Sequence, residues 1–205
     1  MLARRRSLGY NTYMNVYDFD GTIYAGDSTL DFTLHCILRQ PWMLRALPDW
    51  ARALAIAFNE SRISPHAWDK TACKEHFYAY LPLLRNLPQT LGQFWSTHER
   101  KLYGWYLNQK RDDDIIISAS PRFLLQPICD KLGLTLIASE VDPATGRCTH
   151  ANCHGPVKVE CFRAVNPDAL VDAFYSDSTS DLPMARLARR AYFVHSGIIT
   201  DWNTK

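Results

Sequence analysis

Two aspartates, Asp18 and Asp20, close the apolar run from Met14 to Phe19 and lead straight into Gly21-Thr22. In an extended chain the side chains at i and i+2 point to the same side. The two carboxylates therefore repel, and one would titrate high unless a cation stands beside them. A divalent cation relieves that repulsion and attracts a phosphate. Asp before Gly is also ordinary turn chemistry, so the pair needs company, and three other places supply it. Ser118 follows Ile115-Ile116-Ile117 and can offer a hydroxyl to a phosphate oxygen. Lys158 follows Gly155-Pro156-Val157, in the first turn of a helix predicted to start near Pro156. A lysine there opposes the helix dipole, a placement that points to a ligand. Asp177 ends the run Ala173-Phe174-Tyr175, and Asp181 stands four residues later. They add a third carboxylate for a cation and a fourth to hold the cation or the lysine. Taken singly these are a turn serine, a surface lysine and a helix N-cap. Their joint occurrence in this order carries the argument.

Residues so far apart need a scaffold that gathers them. Short apolar runs at Met14 to Phe19, Ile115 to Ile117, Thr135 to Ala138, Ala173 to Tyr175 and Ala191 to His195 alternate with longer helical stretches. That alternation predicts a parallel α/β sheet. The polar clusters sit at the carboxyl ends of the runs, the edge where such sheets bind ligands. Residues 29–88 contain no strand-like run, and helices are predicted near 30–39, from Leu47-Pro48-Asp49 onward, and over 65–81. This stretch reads as an all-helical cap inserted into a core made of residues 14–28 and 89–205. A longer helix is predicted over 88–110, and a hairpin over 139–155 around the turn Asp142-Pro143-Ala144-Thr145-Gly146. Residues 1–13 read as an N-terminal tail.

In this order the residues resemble the haloacid dehalogenase superfamily of phosphohydrolases. Its four motifs would be Asp18-Phe19-Asp20-Gly21-Thr22, Ser118, Lys158, and Asp177 with Asp181. A helical insertion after the first motif resembles the branch that holds phosphoserine phosphatases and bacterial phosphatidylglycerophosphatases of the C type. Ile137-Ala138-Ser139, Asn152-Cys153-His154-Gly155 and Tyr175-Ser176-Asp177-Ser178 look closer to the latter. The resemblance implies a Rossmann-like parallel sheet flanked by helices, with the inserted helical cap. It implies Asp18 as a nucleophile that forms an aspartyl-phosphate, and Asp20 as the acid for the leaving alcohol and then the base for water. Mg²⁺ would be held at Asp18, Asp20 (through its backbone carbonyl) and Asp177, with Asp181 completing the metal-site carboxylates. Ser118 and Lys158 would take the remaining phosphoryl charge, and Ser120 and Asp27 would touch substrate. The presence of Asp20 separates a phosphatase from a dehalogenase, which has no leaving oxygen to protonate. Phosphoserine phosphatases usually carry Gly-Asp-Gly in the fourth motif and a glutamate where Asp27 stands, which argues against serine phosphate.

Composition bounds the remaining possibilities. At roughly 150 residues per domain, 205 residues make one domain or a core with one sizeable insertion. A net charge of +2 and 47% apolar residues exclude a disordered chain and give no case for nucleic-acid binding through bulk charge. Six scattered cysteines are too dilute for a disulfide framework and read as reduced thiols in a cytoplasmic protein. No apolar stretch approaches the ~20 residues of a spanning helix, and no apolar region follows Arg4-Arg5-Arg6 as a secretory signal would require. Cys148, His150, Cys153 and His154 lack the separation of zinc-ligand pairs and read as incidental. Arg39, Arg45, Arg52 and Arg62, with Trp42, Trp50 and Trp68, are either a lipid-facing surface or an ordinary helical bundle, the second being favoured. The expected function is Mg²⁺-dependent hydrolysis of a small polar phosphate ester, with peripheral membrane contact not favoured. Alternatives are a lipid phosphatase at the membrane surface, a phosphotransferase, and a phospho-ligand-binding module, which would have no need of Asp20.

Overall fold

The computed structural model describes residues 13–63 and 71–203. Residues 1–12 of the expected tail, and Trp68 with the start of the helix predicted from residue 65, lie outside them. Six strands form one sheet: β1 (Tyr13–Tyr17), β2 (Ile115–Pro121), β3 (Thr135–Ser139), β4 (Leu170–Ser176), β5 (Ala188–His195) and β6 (Ile198–Asp201). Their order is β3-β2-β1-β4-β5-β6, parallel throughout except for β6. The expected α/β class is thus observed, and β1 lies between β2 and β4. From β1 the chain builds outward on one side and then crosses to the other, which opens the crevice in which such sheets bind ligands.

Side-chain alternation explains why the strands read as unbroken apolar runs. Ile115 and Ile117 join Val16, Phe162, Val171 and Phe174 in a core on one face of the sheet. Ile116 and Tyr17 join Phe19, Phe32, Phe94 and Leu125 in a larger core on the other. Both faces of the central strands are covered, so Ile115 to Ile117 of β2 show no polar side, whereas the outer strands β5 and β6 carry exposed Arg189, Arg190 and Asp201. Helix α6 (Arg122–Leu132) packs on the larger core, and α7 (Pro156–Val165) with α8 (Leu182–Ala185) on the smaller one.

Between β1 and β2 the chain forms α1 (Ser28–Arg39), α2 (Leu47–Ile63), α3 (Thr71–Phe77), α4 (Leu87–His98) and α5 (Gly104–Gln109). Asp27 caps α1 by accepting from Leu30 N, as an N-cap aspartate should. Among the described residues no helix is long and apolar enough to cross a membrane.

Three expectations need correction. The single helix predicted over 88–110 is broken into α4, a 3-10 turn at Glu99–Lys101, and α5. Leu102 and Tyr103 are extended instead, because Tyr103 N donates to Ile23 O at 2.8 Å and Ala25 N to Lys101 O at 2.8 Å. Those bonds tie the chain to the segment just past Asp20 and compete successfully with helix continuation. The region predicted as a hairpin over 139–155 keeps the turn, with Gly146 N donating to Asp142 O, but only Val141 and Cys148 form a bridge. Finally, β6 was not expected. It returns antiparallel along β5 through Ser196-Gly197, both with positive φ, as a two-residue hairpin turn requires.

A buried histidine helps join α1 to α4. His35 is edge-on to Phe94 at 5.5 Å and 5.8 Å from His98, and its Nε2 has no partner among the described residues. Burial, then the charge of Arg39 and the proximity of His98, push its pKa down to about 4. The unfolded chain binds this proton near pH 6.5 while the folded one refuses it. Stability is therefore complete above that pH and falls as pH drops toward 4. Urea titrations should show wild-type stability declining across this window with an extra slope approaching about 1.4 kcal/mol per pH unit that His35→Gln removes. Equal slopes in the two proteins would show that His35 is not held neutral.

Candidate active site

The first acidic turn is shaped residue by residue. Asp18 N continues the sheet pairing by donating to Tyr175 O at 2.9 Å. Phe19 is fully buried beneath the turn, and its N–H donates to Asp18 Oδ1 at 2.8 Å. Gly21 has φ +68°, and a Cβ there would lie 2.0 Å from Asp177 Oδ2. Only glycine allows both the left-handed backbone and the approach of that second carboxylate. Thr22 Oγ1 accepts from Asp177 N at 3.0 Å, so the turn after β1 and the loop after β4 are held together.

Lys158 sits at the third position of α7 with 1% of its surface exposed. Its Nζ lies 2.9 Å from Asp18 Oδ1 and 2.6 Å from Asp181 Oδ2. Asp181, also 1% exposed, accepts a further bond from Ser176 Oγ at 2.8 Å. Burial opposes the lysine's charge, but the two carboxylates outweigh it and raise its pKa. Burial pushes Asp18 up to about 7, with Lys158 opposing and the Asp181 charge reinforcing. The two directions are compatible because one ammonium is shared between two buried carboxylates.

Asp20 occupies a separate hydrogen-bonded nest. One oxygen accepts from Ser28 N at 2.6 Å and the other from Ser120 Oγ. Burial, with the Asp27 charge adding to it, pushes its pKa up to about 6 against those two bonds. Ser118 is buried, and its Oγ accepts from Ser120 N at 3.1 Å. Asp27 is exposed, with one oxygen spent on the α1 cap. Asp18, Asp20, Asp27, Ser118, Ser120 and Asp177 all line one cavity of about 880 Å³, whereas Lys158 and Asp181 lie behind Asp18.

Several residues that matter here carried no role in the sequence reading. Ser176 and Ser28 orient Asp181 and Asp20, and Thr22 fixes the Asp177 backbone. Lys74 of α3 reaches the core, donating to Ala119 O and, at 2.6 Å, to Asn152 Oδ1. Asn152 Oδ1 also accepts from Ser139 Oγ at 2.9 Å. Ser176 and Asn152 lay inside runs quoted for the resemblance; nothing in the spacing of Lys74 marks it. Cys148, His150, Cys153 and His154 do not converge. Among the described residues no three Cys, His, Asp or Glu side chains gather as a metal cluster.

Residues 16–186 match the family described as haloacid dehalogenase-like hydrolase. Among solved structures, a protein of unknown function from Bordetella pertussis Tohama I is similar at 21% identity and a TM-score of 0.68, covering 89% of each chain. A haloacid dehalogenase family hydrolase from Salmonella enterica serovar Typhi matches at 16% identity and a TM-score of 0.55, over 85% of this chain and 60% of that one. A phosphoserine phosphohydrolase-like protein from Francisella tularensis matches at 14% identity and a TM-score of 0.50, over 88% and 86%. At these identities the likeness establishes the fold. Among curated proteins none matches the chain significantly.

Removing one partner of a buried ion cluster strands the others. Lys158→Met should lower stability to urea by about 3–5 kcal/mol, and adding Asp181→Asn should restore part of the loss. A Lys158→Met protein as stable as wild type would contradict the buried pairing.

Proposed function

The chain belongs to the haloacid dehalogenase-like hydrolase family, and from that membership we propose that it hydrolyses phosphate monoesters through covalent catalysis at Asp18. One observation supports this reading most. A carboxylate braced by a buried ammonium faces the same cavity as a second carboxylate, two residues on, whose pKa is pushed up to about 6. An attacking group and a proton donor of near-neutral pKa are the two parts that ester cleavage at phosphorus needs. On this reading residues 29–88 act as a cap over a core of residues 14–28 and 89–205.

In the first step an Asp18 carboxylate oxygen attacks phosphorus and the bond from phosphorus to the ester oxygen breaks. Asp20 gives its proton to the departing alkoxide, which leaves as the alcohol. In the second step Asp20, now ionised, takes a proton from water as that water attacks the phosphorus of the aspartyl-phosphate, and Asp18 is released with inorganic phosphate. Ser28 and Ser120 hold the Asp20 carboxyl in one orientation for both transfers. Lys158 keeps Asp18 in place and offsets charge gathering on the phosphoryl oxygens, to which Ser118 can donate.

The residues also fit the divalent cation that the family implies. Asp18, Asp177 and Asp181 are balanced by the single ammonium of Lys158, and burial, reinforced by the charges of Asp181 and Asp177, raises the Asp18 pKa in spite of that ammonium. Mg²⁺ binds all-oxygen sites through one or two carboxylates, with water and substrate phosphate as further ligands, and does not need a full protein cage. Asp18, Asp177 and the backbone carbonyl of Asp20 would hold it, while the Asp20 and Asp181 carboxylates are occupied by Ser28, Ser120, Lys158 and Ser176. When bound, it supplies charge neutralisation to the phosphoryl oxygens and orients them for in-line attack.

Asp18→Asn should fold and lose about a thousandfold or more of phosphate release; retention of a few per cent, with contaminating phosphatase excluded, would contradict the nucleophile. Asp20→Asn should slow cleavage of an alkyl phosphate far more than that of an aryl phosphate in single turnover, because only the poorer leaving group needs the proton. Equal losses would remove Asp20 from the acid role. Chelation should abolish turnover and Mg²⁺ restore it, with Ca²⁺ a poor substitute; full activity in a chelator would rule the cation out.

A further inference from the structure

We infer that the alcohol part of the substrate is apolar: the cavity is built for the phosphate monoester of an amphiphile, not of a small polar alcohol. This deepens the phosphomonoesterase reading and rests on it. The cavity has two ends of opposite character. Asp18, Asp20, Ser118 and Asp177 stand at one end, as described above. Away from them the wall is made by α1, α2 and the end of α3 with the residue that follows it, Leu30, Ile37, Trp50, Leu54, Phe77 and Tyr78 facing the space. Its volume of about 880 Å³ lies toward the top of the ~300–1,000 Å³ range of pockets that enclose drug-sized ligands. A phosphoryl group and a short hydroxylated chain would leave most of it unfilled.

Trp50, Thr33, Thr29 and Lys74, polar groups of this wall, are engaged within the protein. Trp50 Nε1 donates to Phe77 O at 2.9 Å, and Thr33 Oγ1 donates to Thr29 O at 2.8 Å and bonds Tyr80 Oη at 3.1 Å. Thr29 Oγ1 is 3.0 Å from Ser120 Oγ, and Lys74 bonds Ala119 O and Asn152. Hydroxyls on a polar leaving group would lose water without finding partners among the apolar side chains. Methylenes would instead leave water for a surface already apolar. Asp27, the residue expected to favour a polar alcohol, lies on the exposed edge of the cavity with one oxygen spent on capping α1.

The apolar character also continues outward from the cavity. Leu54, one of its lining residues, is 72% exposed. Leu30, Leu34 and Leu38 recur every fourth residue on one face of α1, all exposed, Leu38 to 71%. A chain longer than the cavity would run onto this track. The same chemistry is presented by a free amphiphile and by one seated in a bilayer, and the two differ in how the ester must be delivered.

The test is a chain-length series on the full-length protein with Mg²⁺. Hydrolysis of ethyl, butyl, hexyl and octyl phosphate is followed below their aggregation limits, and calorimetry measures binding of the matching non-hydrolysable alkylphosphonates. We expect kcat/KM and phosphonate affinity to rise together, by about two- to fourfold per methylene, until the cavity is full. Leu54→Asp should flatten both slopes. Turnover that ignores chain length, or prefers phosphoserine or glycerol phosphate to octyl phosphate, overturns the proposal and leaves the phosphomonoesterase reading standing. Phosphonate affinity that climbs with chain length without turnover of any ester upholds the apolar site and removes that reading instead. Dodecyl phosphate in phosphatidylcholine vesicles, compared with its monomer, separates the sources. Faster turnover on vesicles assigns a bilayer and faster turnover of the monomer a free amphiphile, each upholding the apolar substrate.

Discussion

An ammonium buried to 1% exposure at the end of a parallel sheet is tolerable only between carboxylates, and that constraint organises the site. Lys158 is clamped between Asp18, just past β1, and Asp181, in the turn that follows the adjacent strand β4. Either carboxylate without the lysine, or the lysine without both, would leave an uncompensated buried charge. Ser176 steadies Asp181 from the last position of β4, and Gly21 leaves room for Asp177 beside Asp18. The cluster nevertheless stays short of positive charge, and this shortage connects a structural ion pair to phosphate chemistry. On the proposed reading, a site held by one cation and poor in a second would take a divalent ion and, with it, a phosphoryl group.

The sheet supplies rigidity for this cluster and the helical insertion supplies its surroundings. Tyr24 donates to Asp31 and Lys101 pairs with the same carboxylate, while Ala25 N donates to Lys101 O on the returning chain and Tyr103 N donates back to Ile23 O. The entry and exit of the insertion are thereby tied together next to the acidic turn. From there α1 carries Ser28, which fixes Asp20, and also Leu30 and Ile37, which face the cavity. On the proposed reading one helix thus orients the proton-transfer group and lines the space for the leaving alcohol, so the insertion would bear on rate and on substrate choice together.

Much of this was legible in the sequence where local chemistry and fold agree. Asp18, Asp20 and Gly21 announce an acidic turn, and Ile115 to Ile117 a strand buried on both faces, because each depends on neighbours in the chain. Lys158 was legible because a lysine in the first turn of a helix is electrostatically misplaced unless something anionic meets it. What escaped was set by distant contacts. The break in the helix predicted over 88–110 comes from Tyr103 bonding Ile23, partners 80 positions apart in the numbering. Lys74 gains its meaning only when α3 is laid against the loops carrying Ala119 and Asn152. The two-sided character of the cavity was hidden for the same reason, since leucines at four-residue spacing on α1 read equally as core. Strand β6 is the exception, for Ser196-Gly197 is a recognisable hairpin turn and only the shortness of the strand concealed it.

The central claim is that Asp18 carries the phosphoryl group between ester and water. It is tested most directly by quenching the Mg²⁺-loaded protein in acid during turnover of phenyl phosphate and mapping the modified peptide by mass spectrometry. One phosphoryl group is expected on the peptide containing Asp18, formed as fast as phenol is released and discharged by hydroxylamine as an acyl phosphate is. A phosphoryl group on Ser118, or phenol released in a burst with no phosphorylated peptide at all, would contradict it.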